Sequence, residues 1–159
     1  MELMYACGLK ASEAADAQCS DVDLRIGFIS VKGESKTRIV PIGRPARKAV
    51  LSYLTSVRNQ LLKDKEDCGA LFLNYAGERL SRQGVWKIIK YYGKKAGIEE
   101  NLNPQILRNS FAAHMILNGA DLKSLQELLG HEDLAATKLY LSITKNRVMD
   151  VYDRTHPRA

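Results

Sequence analysis

The chain has little cysteine and no long apolar run. Cys7, Cys19 and Cys68 are the three cysteines in 159 residues, and no CxxC pair occurs among them. That spacing indicates neither a zinc site nor a disulfide framework, and reduced thiols inside a cell are the expectation. No apolar stretch approaches the length that spans a bilayer, and Met1-Glu2-Leu3-Met4 lacks the basic start of a signal peptide. A soluble, cytoplasmic protein is expected. Internal repeats, low-complexity tracts and linkers are also missing, so residues 1–159 read as one domain large enough to bury a core.

What is present is an excess of positive charge. Lys and Arg number 24 against 18 Asp and Glu, a formal net charge of +6. Such an excess favours polyanionic partners through release of condensed counterions, although many basic proteins never touch nucleic acid.

Periodicity predicts a mainly α domain with a small antiparallel β-hairpin. Glu2 to Cys7 reads as the tail of a helix stopped by Gly8, and Ser12 is placed to cap a short helix through Ala15. Phe28-Ile29-Ser30-Val31 and Thr37-Arg38-Ile39-Val40-Pro41-Ile42 are strand-like, with Lys32 to Lys36 as the polar turn. Ala46 to Leu62 has helical spacing, ended by the charged segment Lys63 to Asp67, and Leu71-Phe72-Leu73 suggests a short strand. Ser81 caps a helix reaching Gly97. Asn103-Pro104 opens the next, stopped by Asn118-Gly119, and Asp121 opens another that ends at Gly130. A helix bearing Tyr140 and a last amphipathic stretch, Asn146 to Tyr152, complete the reading.

Three positions suggest chemistry. Leu129-Gly130-His131-Glu132-Asp133 is followed nine residues after His131 by Tyr140, and Arg108 lies upstream in Leu107-Arg108-Asn109-Ser110-Phe111. An arginine, an imidazole and a phenol together suggest a phosphate-handling site with Tyr140 as a nucleophile. The whole pattern runs from Tyr5-Ala6-Cys7-Gly8-Leu9-Lys10-Ala11-Ser12-Glu13 through Lys36-Thr37-Arg38-Ile39-Val40-Pro41-Ile42 and Pro104 to His114, then on to Tyr140. In that order it resembles the tyrosine recombinase (phage integrase) family, and the closing His156-Pro157-Arg158-Ala159 is similar to the family's Xer subgroup.

The resemblance implies the family's catalytic-domain fold, here truncated at its N-terminus and lacking the separate core-binding domain. It implies double-stranded DNA as partner and a homo- or hetero-tetramer on DNA for a full-length member, with the present chain a monomer. It also implies a bacterial or archaeal, nucleoid-associated protein. The implied reaction is attack by tyrosine on a DNA phosphodiester, giving a 3′-phosphotyrosyl link and a free 5′-hydroxyl. Because bond energy is conserved, no cofactor, ATP or metal is required. Tyr140 fits the nucleophile, and Arg108 and His131 fit the second arginine and a donor to the scissile phosphate. By the same analogy Arg82, Gln83, Lys87 and Lys36 are candidate DNA contacts. Trp86, Tyr91 and Tyr92 are expected mostly in the core, and His114 as a packed helix residue.

Two positions depart from the family pattern. Lys10 stands where the family has its first arginine, and a lysine keeps the charge but loses the bidentate fork. Gln105 stands where the family has histidine, and an amide donates without titrating near neutrality. Each misplaced transition-state donor typically costs a factor of about 10² to 10³, or roughly 3–4 kcal/mol. The hairpin turn is one residue shorter than the usual pattern, leaving Lys32 as first choice and Lys36 as second for the lysine that protonates the leaving oxygen. Two readings follow: a recombinase that cleaves and rejoins DNA, or an impaired relative acting as a DNA-binding or regulatory subunit. Lys10 has a plainer alternative, a pairing with Glu13 or Asp16 across one helix turn.

Overall fold

The computed structural model describes residues 1–33, 36–63, 65–98 and 102–130. His131, Tyr140 and the helices expected beyond Gly130 lie outside the described residues.

Helix α1 (Glu2–Cys7) ends as its sequence predicts, at Gly8 with φ 60. Helix α2 (Ala11–Asp16) starts two residues earlier than a Ser12 cap would set it. Its N-cap is Lys10, not Ser12, and the Glu13 carboxylate accepts from the Lys10 backbone N–H at 2.8 Å. A carboxylate three residues into the helix thus does the capping that the exposed Ser12 hydroxyl was expected to do.

The hairpin is β2 (Phe28–Lys32) against β3 (Thr37–Pro41), antiparallel, with Ile29 opposite Val40 and Lys32 opposite Thr37. A two-residue strand, β1 (Val22–Asp23), adds a third member beside β2. The period of two sends Ile29, Val31 and Val40 into the core and leaves Phe28 and Ile39 exposed. Leu71 to Leu73 is not a strand. The segment makes single bridges, Gln18 to Ala70 and Leu73 to Arg79, so its apolar residues anchor a loop.

Helix α3 (Arg44–Ser52) begins ahead of the predicted Ala46, because Pro45 suits the first turn. It passes into a π-helical stretch, Tyr53–Arg58, and a final turn, α4 (Asn59–Leu62). Arg58 is buried there, donating to Asp67 Oδ1 at 2.5 Å and to the Ala70 carbonyl at 2.8 Å.

Capping residues set the last three described helices where their sequence predicts. Ser81 Oγ accepts from Gly84 N at 3.0 Å to open α5 (Arg82–Lys95), and Asn103 Oδ1 accepts from Ile106 N at 3.0 Å to open α6 (Pro104–Leu117). Asp121 Oδ1 accepts from Ser124 N at 2.9 Å to open α7 (Leu122–Leu129).

Helix α1 packs against α3 and α6, and α2 against α5. Leu3, Leu9, Ile29, Val40, Leu71 and Ile89 belong to the main core, while Phe111, Ala112, Ile116, Leu125 and Leu129 form a second cluster between α6 and α7. Among the described residues, no helix is long and apolar enough to cross a membrane.

Candidate active site

Arg108 is the centre of the candidate site, and it is buried. A helical arginine taken alone would lie in solvent, yet this one is 1% exposed. Its guanidinium donates to the Gly8 carbonyl at the end of α1, and to the Leu129 carbonyl at 2.6 Å. Nη1 also lies 3.8 Å from Glu13 Oε2. Burying a guanidinium is tolerable only when its charge and donors are met, and here two backbone carbonyls and a carboxylate meet them.

Glu13 joins Arg108 to a second arginine, Arg38 of β3. The pair is bidentate, Nη1 to Oε1 at 2.7 Å and Nη2 to Oε2 at 2.9 Å, and Arg38 Nε donates to the Leu128 carbonyl at 2.7 Å. Burial alone would push the Glu13 carboxyl up. The hydrogen bonds from Arg38 and from the Lys10 backbone outweigh it and hold the group below its ordinary value. The arginines therefore serve consecutive carbonyls, Leu128 and Leu129, at the C-terminal end of α7. Those are among the carbonyls a helix cannot satisfy internally, and the end of a helix dipole favours positive charge.

The close fit extends to Gly8. A methyl group there would fall 2.6 Å from a ring carbon of Phe111 and 2.8 Å from a methyl of Leu129. Tyr5 Oη and His114 Nδ1, 2.8 Å apart, link α1 to α6 further along. His114 is thus exposed and paired to Tyr5 rather than packed inside.

The other expected site residues surround this brace unequally. Lys10, two residues after Gly8, is exposed, and no ion pair joins it to Glu13 or Asp16 among the described residues. The helix-turn pairing fails because Glu13 is committed to the two arginines. Gln105 lies one turn ahead of Arg108 on α6, exposed, with Nε2 donating to Asn109 Oδ1 at 2.9 Å. Lys32 and Lys36 sit at the hairpin tip, where Gly33 N donates to the Lys36 carbonyl at 2.9 Å. Lys32 Nζ lies 3.1 Å from Asp21 Oδ1, and its side chain is 66% exposed.

Arg82, Gln83 and Lys87 are exposed on α5, whose buried face is Val85, Ile89 and Gly93. The expectation of core aromatics on this helix is corrected. Tyr91 and Tyr92 are exposed and meet each other edge-on, while Trp86 is half-buried under Lys90 Nζ.

Reading the residues as a site missed Arg38. The alternation that buries Val40 also turns Arg38 inward, and an inward charge on a strand needs a counter-ion. That was the available signal.

Through Glu13, Arg38 and Arg108 the arrangement ties together the end of α1, the start of α2, β3 and the end of α7. Tyrosine recombinase XerD of Staphylococcus epidermidis is 47% identical over 160 aligned positions, covering 100% of this chain and 54% of that protein. Tyrosine recombinase XerD of Listeria monocytogenes is 45% identical with the same coverage. The chain thus spans about half the length of the curated relatives it matches. The crystal structure of XerA recombinase superposes with a TM-score of 0.80 at 31% identity, over 99% of this chain and 57% of that one. XerH site-specific recombinase bound to palindromic difH substrate, a post-cleavage complex, gives 0.75 at 26% identity, over 94% of this chain and 43% of that one. The profile of the phage integrase family matches residues 1–147, and the chain belongs to that family.

Proposed function

We propose that residues 1–159 act as the catalytic domain of a site-specific tyrosine recombinase. Tyr140 attacks a phosphodiester of duplex DNA, the 5′-oxygen leaves, and a partner strand's 5′-hydroxyl later reverses the step. Arg108 and Lys10 offset charge on the non-bridging oxygens, His131 donates to the same phosphate, and Lys32 or Lys36 protonates the leaving oxygen. Gln105 donates without titrating. Arg82, Gln83 and Lys87 on α5 contact the duplex outside the scissile phosphate, a positioning role that needs no base readout.

The observation that carries this reading is the double attachment of Arg108. Its bonds to the Gly8 and Leu129 carbonyls fasten the two segments that lead into Lys10 and His131. Assembly on DNA is proposed to be tetrameric for a full-length member of the family and monomeric for this chain.

The test uses duplexes selected for binding from a randomised library, then nicked so that the cleaved flank diffuses away. A covalent adduct on a denaturing gel, abolished by Tyr140→Phe, is the expected result. Selected binding without an adduct overturns cleavage, and failure to retain any duplex at low salt overturns the DNA reading.

A further inference from the structure

The proposed reaction uses a lysine at the hairpin tip, but the exposed ion pair from Lys32 to Asp21 is a weak hold on such a side chain. An isolated hairpin is marginally stable, and Lys32 and Lys36 are both exposed. What fastens the tip is Arg38. It stands opposite Val31, one register pair from Lys32–Thr37, and among the described residues of β3 it is the first from the tip to face inward. Its side chain is 12% exposed, and it donates to two other elements, twice to Glu13 of α2 and once to the Leu128 carbonyl of α7. The guanidinium also lies beside Gly130, where an added methyl group would be 3.7 Å from Nη1.

We propose that Arg38 is a positioning residue for strand cleavage, which holds the hairpin lysine in register with the start of α2 and the end of α7. This rests on the cleavage reading above. Arg38 need not touch DNA. It acts because one planar group binds a carboxylate and a helix-end carbonyl together, so the tip, the Lys10 turn and the segment entering His131 share one frame. In the step concerned, the Tyr140 oxygen forms a bond to phosphorus as the bond from phosphorus to the 5′-oxygen breaks. The phenol gives up one proton to water, and the 5′-oxygen gains one from the hairpin lysine.

The chemistry of the leaving group separates positioning from general damage. A 5′-thiolate leaves without a proton, so a substrate with sulfur in the bridging position does not need the lysine. Wild type, Arg38→Met and Tyr140→Phe are compared on oxygen- and sulfur-bridged versions of the selected nicked duplex. Arg38→Met is expected to slow adduct formation at least tenfold on the oxygen substrate and to come within about threefold of wild type on the sulfur one. Tyr140→Phe stays inert on both. Equal slowing on both substrates, or none on either, overturns the proposal.

Two further arms keep it decidable. Where Arg38→Met strips Glu13 of its bidentate partner and fails to fold, Arg38→Met with Glu13→Gln removes the under-compensated charge and takes its place. Amide hydrogen exchange over residues 28–41 is read in parallel, and faster exchange is expected in the variant. If wild type forms no adduct on either substrate, the cleavage reading fails. Exchange then decides the tether alone, and unchanged protection across the hairpin overturns it.

Discussion

Arg108 donates to the carbonyl of Leu129 at 2.6 Å, two residues before His131. The residue that resembles a phosphate ligand is therefore also a structural clamp on the chain that leads to the histidine. Replacing it should injure stability as well as chemistry. Arg108→Met is expected to destabilise the domain by about 3–5 kcal/mol, the usual cost of breaking a buried, bonded charge. Urea titration followed by circular dichroism measures it, and a loss under about 1 kcal/mol would contradict the clamp.

Gly8 is the second sensitive point. Alanine there must adopt φ near 60, at about 1–2 kcal/mol, and its methyl group overlaps Phe111 and Leu129, at about 1–3 kcal/mol more. Thermal unfolding should show a clear drop for Gly8→Ala, while Gly97→Ala, whose methyl group would meet nothing within 4 Å, should lose only the conformational part.

Lys10 and Gln105 carry a gain-of-function prediction. Lys10→Arg restores a bidentate donor at an exposed N-cap with no ion pair to disturb among the described residues. Single-turnover adduct formation is expected to rise by about 10–10²-fold, and further when Gln105→His is added. A double variant no faster than wild type would place the rate limit elsewhere.

Acid should weaken the fold through its bonded carboxylates, Asp67 and Glu13 among them. Hydrogen bonds from Arg58 hold Asp67 at about 2. Glu13 is opposed by burial, yet Arg38 and the Lys10 backbone hold it below its ordinary value. A lowered folded pKa contributes stability above the unfolded value, about 4, and loses it as pH falls through the folded value. The melting temperature should be nearly flat from about pH 7 to pH 5 and fall below about pH 4. Glu13→Gln should lower it at neutral pH and flatten the acid limb, which a pH series of melting curves reads directly.

Local chemistry was legible in the chain, and packing was not. Ser81, Asn103 and Asp121 each combine a short polar side chain with an apolar period behind it, and each is the cap found. The hairpin was equally plain from its alternation. Strand β1 is too short to leave a period, and the π-helical stretch from Tyr53 to Arg58 keeps the apolar spacing of an ordinary helix. At the site, Arg108 and Lys10 could be named because a family pattern placed them. Neither the burial of Arg108 nor the role of Arg38 follows from neighbours in sequence, since both depend on Glu13 and on carbonyls 21 and 90 residues away. Tyr91 and Tyr92 failed for the opposite reason, as their apolar rings face outward beside Lys87, Lys90 and Lys94.

The bond from Arg108 to Gly8 closes a loop of 100 residues. Bringing such distant points together costs about 4 kcal/mol in chain entropy, which only the packing of the intervening elements offsets. During synthesis, the first turn of the site waits for α6, and α6 waits for the end of α7 before its arginine is satisfied. The proposed phosphate-handling residues therefore meet late, and a growing chain carries the parts of its active site long before it carries the site.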